Sequence, residues 1–492
     1  MNPAEGERRL HPGSWLFVLL QQLKQFIVPL LVLVFAGRGD RNSLWPLIGV
    51  GVLVVTSMLQ YLTYRYRIGT DGVTIRSGWL HRSVREIPFA RLHNVALHQS
   101  LLHRLFGVAE VRLESAGGVR PEAQMRVLKL EEALALEDLV RHRGGEAAAR
   151  SDAAEAPDAA LLSLPAAEVV RLGLVSNRGM VVVAAALTVV SQAMPDALLG
   201  DTLRSVAAHI FGYAGALHGG SPASLVAALG LVVAVLVVLR LLSIALAWVQ
   251  YHGFRLSEAR QRLTVERGLL TRSRSSTPRR RIQAWALRET ALQRWLGRRS
   301  LAIDTAASPF AQERGTMKEL APIATPQACD ALIQHLLPQA QWPRPTWRPL
   351  SPSAAWRLAL PGATVSLLAT GLACAWWGSA WGLLAMLWLP WTWFASRRHA
   401  CRAGYDLDER LVAVREGWWS RHWRFAELDK LQALRLSRSP LDQRCGTATL
   451  WLDTAGADAF APPLRIRFLP LAEAQALYAR LGHLLAVRAL RW

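Results

Sequence analysis

The chain has 492 residues, 52% of them hydrophobic, and a formal net charge of +21 at pH 7. Its length exceeds one domain core, and long apolar runs alternating with Arg-rich stretches exclude an ordinary soluble globule. The basic excess suits either nucleic acid or an anionic membrane surface; the apolar runs select the membrane, and no nucleic-acid partner is expected.

Arg8 and Arg9 precede an apolar run that no small-residue cleavage site follows, which reads as an uncleaved first helix. Trp15 to Phe35 and Leu44 to Tyr61 are each near the ~20 residues that cross a bilayer, and Gly37 to Asn42 joins them as a hairpin. The segment from Tyr66 to Ala116 is β in pattern. Asp71-Gly72 separates alternating runs as a two-residue turn does, and strands are predicted at Ser83 to Ile87, Leu92 to Gln99 and Ala109 to Glu114. A helix is predicted from Glu131 to His142, and Gly144 to Ala160 reads as a flexible linker.

A second apolar pair, Leu172 to Met194 and Leu225 to Gln250, leads to a second soluble segment. An offset of 190 without a gap superposes Tyr61 on Tyr251, Gly78 on Gly268, Pro88 on Pro278, Leu97 on Leu287, Arg104 on Arg294 and Gly107 on Gly297. A helix is predicted from Pro326 to Leu337, followed by a stiffer, proline-spaced linker, Pro338 to Pro352. The third pair, Trp356 to Trp376 and Trp381 to Phe394, precedes a third copy that starts near Tyr405. That copy is read with a compensating deletion and insertion between Gly417 and Gly446, and a closing helix is predicted from Leu471 to Val487.

The divisions are 1–63, 171–252 and 354–396 for the transmembrane hairpins and 64–145, 253–338 and 397–492 for the β domains. Residues 146–170 and 339–353 are linkers, across which the modules are expected to move. Arg65 and Arg67, Arg255, and Arg397, Arg398 and Arg402 follow the second span of each pair, which predicts cytoplasmic domains and N-terminus.

The densest basic run is Arg272 to Arg281, extended by Arg288, Arg294, Arg298 and Arg299, and from it Arg272, Arg274, Arg279, Arg280 and Arg281 are candidate binders of anionic headgroups or a partner. Its plainer reading is a solvated basic face. Arg178 and Arg240 lie in or beside apolar runs, where they mark either an intramembrane polar site or the ends of tilted helices. His93, His98 and His103 share no helix or strand face, so no metal site is expected. Trp418, Trp419 and Trp423 suit interfacial packing better than ligand stacking. Cys329, Cys374, Cys401 and Cys445 have neither zinc-ligand nor disulfide spacing.

Gly78, Pro88, Leu92, Leu102 and Gly107, with Gly268, Pro278, Ile282, Leu292, Gly297 and Asp304-Thr305-Ala306, resemble the bacterial pleckstrin-homology-like (bPH2) family of membrane proteins. The layout over most of the chain is similar to three-domain members. The resemblance implies PH-like domains of about seven strands closed by a C-terminal helix, on a multi-pass α-helical protein with about six spans in three hairpins. It implies no catalytic residue and no cofactor, and suggests a smaller PH-like relative as a partner beside the lipids of the inner leaflet. The third copy departs by having Glu427 near the place of Pro88 and Pro278. The reading that follows is a non-enzymatic inner-membrane scaffold; the alternatives are an anionic-lipid sensor or lipid-handling protein, and an export or resistance-type transporter component.

Overall fold

The computed structural model describes residues 8–9, 14–17, 19–20, 45–69, 72–78, 82–89, 92–115, 123–143, 159–193, 222–259, 261–305, 319–377, 386–455 and 463–487. The first module runs β1 (Arg8–Arg9), α1 (Trp45–Thr63), β2 (Arg65–Ile68), β3 (Gly72–Ser77), β4 (Ser83–Pro88), β5 (Leu92–Gln99), α2 (Leu101–Leu105), β6 (Val108–Ser115), β7 (Ala123–Lys129) and α3 (Leu130–Arg143). The second runs β8 (Ala159–Ser163), α4 (Ala166–Val175), α5 (Arg178–Ala193), α6 (Pro222–Tyr251), β9 (Arg255–Ala259), β10 (Arg262–Arg267), β11 (Arg272–Pro278), β12 (Ile282–Glu289), α7 (Ala291–Trp295), β13 (Arg299–Thr305), β14 (Glu319–Ala324) and α8 (Pro326–Leu336). The third runs β15 (Arg348–Pro349), α9 (Ala354–Trp377), α10 (Trp388–Arg402), β16 (Gly404–Leu407), β17 (Leu411–Glu416), β18 (Arg421–Glu427), β19 (Leu431–Ser437), α11 (Pro440–Arg444), β20 (Thr447–Thr454), β21 (Arg465–Pro470) and α12 (Leu471–Val487).

Local chemistry repeats in all three domains. The short helices α2, α7 and α11 start at Ser100, Thr290 and Ser439, whose hydroxyls accept from the backbone N–H three residues on. They end at Gly107, Gly297 and Gly446, each at φ +62°, a left-handed turn that glycine adopts without strain. Gly268 and Gly417, at +111° and +87°, are more constrained. A Cβ there would meet a backbone oxygen at 2.0 Å and 1.9 Å.

These landmarks correct the reading of the third copy. Gly417 and Gly446 follow Gly268 and Gly297 by the same 149 residues, and the pairing Leu411 to Glu427 repeats Arg262 to Pro278. No deletion or insertion intervenes, and Glu427 stands in register where the other copies have proline. One hydrogen bond also repeats. Tyr66 Oη donates to Glu132 at 3.0 Å and Tyr405 Oη donates to Glu473, each joining a first-sheet strand to the closing helix. The second domain has the fully buried Leu256 at the tyrosine's place, so apolar packing replaces that bond.

The sheets do not stop at domain boundaries. The strand orders are β1-β2-β3-β4, β7-β6-β5-β11-β10-β9-β8, β14-β13-β12-β18-β17-β16-β15 and β19-β20-β21. The second half-sheet of one domain is thus continuous with the first half-sheet of the next. The core of the second domain accordingly includes Leu411, Trp423 and Phe425 of the third.

Residues 144–158, most of the first linker, lie outside the described residues; its described end and the second linker are docked, contrary to the expectation of moving modules. Residues 159–163 form β8 on the edge of β9. In the proline-spaced connection, Trp342 stacks on Phe425 at 4.5 Å and donates to Asp330 at 2.8 Å. Arg344 is 3.2 Å from both Asp406 and Asp408, and β15 pairs with β16.

Two helices are long and apolar enough to cross a membrane, over Val232–Tyr251 and Ala354–Ala375. A third span results if Ala166–Val175 and Arg178–Thr188, bent by 54° at their break, act as one. Among the described residues this supports two or three spans where the sequence predicts about six. Most of the first expected span and the start of the sixth lie outside the described residues. In the second, Gly51–Thr63 is the apolar part. Gly173 lies so close to Ile244 that a Cβ would meet its Cα at 2.4 Å, so the α4–α6 contact needs glycine.

Candidate functional site: strand junctions and membrane latches

Two junctions join the domains. At the first, Gln99, His98, Leu97, Ala96 and Val95 of β5 face Arg272, Ser273, Arg274, Ser275 and Ser276 of β11. At the second, Glu289, Arg288, Leu287, Ala286 and Trp285 of β12 face Arg421, His422, Trp423, Arg424 and Phe425 of β18. The two registers are the same under the offsets of 190 and 149. A side chain repeats too: Arg104 donates to the Leu269 carbonyl and Arg294 to the equivalent Trp418 carbonyl, both at 3.2 Å.

Charge and aromatic packing strengthen the second junction. Buried Glu289 lies 3.1 Å from Arg299 and 3.5 Å from Arg421, and buried Arg424 donates to Asp304 across the interface. Trp423 sits beneath the guanidinium of Arg299 at 5.1 Å, and Trp285 stacks on Phe425. At the first junction Arg274 is 3.6 Å from Glu137 of α3. Burial there, reinforced by Arg112, lowers His98 to a pKa of about 4.

The five candidate arginines share one stretch of chain but not one face. Exposed Arg272 pairs with Glu266 at 2.9 Å, and Arg274 lies in the first junction. Arg279 donates to the Leu336 and His335 carbonyls and is 3.3 Å from Glu258, so it caps the C-terminal end of α8. Burial lowers half-buried Arg281 to about 10, with Arg280 and Arg262 acting the same way. Arg280 is exposed, and its carbonyl accepts from Lys430 of the third domain at 3.1 Å.

Each domain is also latched to its own apolar helices. In the second module Glu168, in the first turn of α4, receives Arg298 through bonds of 2.7 Å and 2.8 Å. In the third, Arg357 near the start of α9 donates to Thr447 and Asp442, both at 2.8 Å. Thr447 occupies the place of Arg298, and Val108 the same place in the first domain, where it packs with Phe17 and Val127. One structural position thus carries three chemistries.

Arg178 and Arg240 serve the bent helix pair. Arg240 donates to the Leu174 and Ser176 carbonyls and to Asn177 Oδ1 at 3.1–3.3 Å, satisfying backbone acceptors freed where the helix breaks. Arg178 donates to Tyr251 Oη at 2.6 Å and lies 3.8 Å from Glu319, which Arg267 also holds at 3.1 Å.

His103 bonds Ser100 and packs on Phe17, the side chain of His93 lies outside the described residues, and no metal-holding group occurs among the described residues. Trp418 packs on Trp391 and Phe394 of α10, while Trp419 is exposed. An open pocket of about 350 Å³ on the third domain is lined by Arg410, Glu427, Asp429, Leu481 and Leu485. It opens where Leu428 stands in place of Arg279, which in the second domain caps α8. Run-based reading of the sequence takes Arg298 into the basic face and misses Glu168, Arg357, Asp442 and Arg424, although the 190-residue offset marks Arg104 and Arg294 as equivalent.

The bacterial PH domain model matches residues 17–144, 206–337 and 357–485. The chain is 22% identical over 361 residues to the UPF0699 transmembrane protein YdbT of Bacillus subtilis (strain 168), covering 68% of this chain and 69% of the relative. No solved structure matches the chain. With three matches that together span most of its length, the chain belongs to the bacterial PH domain family.

Proposed function

We propose that the chain is a non-enzymatic scaffold of the bacterial inner membrane that presents three PH-like domains at the cytoplasmic face and binds protein partners there. Six spans in three hairpins, with cytoplasmic N-terminus and domains, complete this reading; the arginines that follow the second apolar run of each pair support it. The observation that carries it is sheet continuity across both junctions, which makes the three domains one array with defined ends. An array held this way suits presentation of strand edges to partners better than independent ligand uptake. Crosslinking in the native membrane followed by detergent pull-down of the full chain tests it: reproducible recovery of a partner is expected, and recovery of none overturns it.

The second reading is binding of anionic lipid, favoured by exposed Arg272 and Arg280. Flotation of the chain with vesicles containing phosphatidylglycerol discriminates. Loss of binding on Arg272→Gln and Arg280→Gln supports lipid recognition, and unchanged binding removes it.

A further inference from the structure

The two interior junctions define which strand edge fits which. In both, the fifth-strand edge of one domain (β5, β12) receives the fourth-strand edge of the next (β11, β18), in one register and with one accompanying arginine bond. Among the described residues the array ends with one edge of each kind outermost in its sheet: β4 in the first domain and β19 in the third.

The β19 edge keeps the strand that the interior edges use but not their arginine. Leu431 to Ser437 answers Ile282 to Arg288, while Gln443 stands where Arg104 and Arg294 reach across to the next domain. Exposure follows the missing neighbour: Trp285, Ala286 and Leu287 are buried, whereas Arg435 is exposed and Leu434 and Leu436 are only half-buried. A strand edge of this kind is a template for another strand.

Charge decides which strand. The place of Glu289, which meets Arg421 at 3.5 Å, is Arg438 here, so the polarity of that cross-strand pair is reversed. The chain's own β4 in a second copy would set Arg82 opposite Arg438 and Arg85 opposite Arg435 in the same register. Like charges directly opposed destabilise a strand pair, so self-assembly through these edges is disfavoured.

We infer that β19 is the docking edge for the fourth-strand edge of a PH-like domain on a different chain, one that places carboxylates opposite Arg435 and Arg438. This rests on the scaffold reading and specifies the partner's chemistry. The docked strand runs antiparallel in the register of the interior junctions.

The test supplies the missing carboxylates on the full chain itself. Native mass spectrometry of detergent-purified protein compares the unaltered chain, Arg82→Glu/Arg85→Glu, Arg435→Glu/Arg438→Glu, and the chain with all four changes. Either double reversal is expected to self-associate about tenfold or more tightly than the unaltered chain, because two repulsive pairs become attractive. The fourfold reversal restores like charge and is expected to return to the unaltered level. Adding Val84→Cys and Leu436→Cys to a double-reversed chain is expected to give a crosslinked peptide joining those two positions. Equal association of all four proteins, no gain in either double reversal, or a crosslink out of this register overturns the edge assignment. A failure there leaves the scaffold reading to its pull-down. A pull-down that recovers nothing removes the scaffold role even if the reversed chains associate.

Discussion

The second junction makes a quantitative prediction. Asp304 and Arg424 are 9% and 4% exposed and belong to different domains, and the guanidinium's Nε and Nη1 have no hydrogen-bond partner beyond the bond that Nη2 makes to Asp304. Asp304→Asn therefore leaves a buried cation without its counter-charge, a loss of about 3–5 kcal/mol. Replacing both partners by apolar residues, Asp304→Leu with Arg424→Met, removes the desolvation penalty with the charge and is expected to stay within about 1 kcal/mol of the unaltered chain. Hydrogen exchange of the β12 and β18 amides in the full detergent-purified chain reads the local opening. The single change is expected to speed exchange there by about 10²- to 10³-fold and the double change by less than about tenfold. Exchange within about threefold of the unaltered chain in Asp304→Asn, or a double variant as fast as the single one, would refute the assignment of this pair as a buried interdomain tie.

Three further outcomes follow from the same geometry. Glu168→Ala removes a two-bond carboxylate–guanidinium latch and is expected to weaken the hold on α4 by about 1.5–3 kcal/mol, read as faster exchange of its amides; Glu168→Arg with Arg298→Glu is expected to recover most of the loss. Gly417→Ala meets the Ser420 carbonyl at a positive φ and is expected to cost about 1–3 kcal/mol, against about 1 kcal/mol for Gly446→Ala in open space, compared by thermal midpoint. His98 is held at a pKa of about 4, below its ordinary 6.5, so the unfolded chain binds more protons between those values; the stabilisation is complete above pH 6.5 and is lost as pH falls toward 4. At pH 5 the first junction is expected to be weaker by about 1–2 kcal/mol than at pH 7, measured by β5 and β11 exchange, and His98→Gln abolishes that dependence.

The strands were legible in sequence because alternation and turn glycines are local: Gly78 and Gly268 fix hairpins whatever the rest of the chain does, whereas Gly72, read as a turn residue, opens β3 and Asp71 lies outside the described residues. The pairing of β5 with β11 was not. Alternation reports which face of a strand is buried, while the partner along its edge is set by backbone groups common to every residue. The third copy was obscured because Glu427 replaces the proline used as a landmark, and only the pairing with Leu411 restores the register. The arginine run was legible as charge but not as function: Arg279 caps a helix some 57 residues ahead of it, a contact that composition does not encode. Arg240 reads in sequence as a cation in an apolar run; its place opposite the break at Ser176 emerges only when α4, α5 and α6 pack.

Three similar modules in one chain raise the hazard that an apolar hairpin docks on the wrong domain, a characteristic failure of repeat proteins. The latches oppose it. Moving the third module's Arg357 onto the second domain sets it against Arg298, and moving Glu168 onto the third sets it against Asp442, a carboxyl held near a pKa of about 2. Burial works to raise that carboxyl, but bonds from Ser439, Thr447 and Arg357 outweigh it, so Asp442 remains an anion when Glu168 approaches. The apolar Phe17 surface offers neither charge a partner, and Phe17 in either of the other places strands a buried ion. Since both junctions use the same register and the same arginine-to-carbonyl bond, strand pairing alone does not distinguish one domain from the next. Discrimination therefore falls to side chains, the Glu289–Arg421 and Arg424–Asp304 pairs of the second junction and the latches, which act through penalties on the wrong pairings more than gains in the right ones.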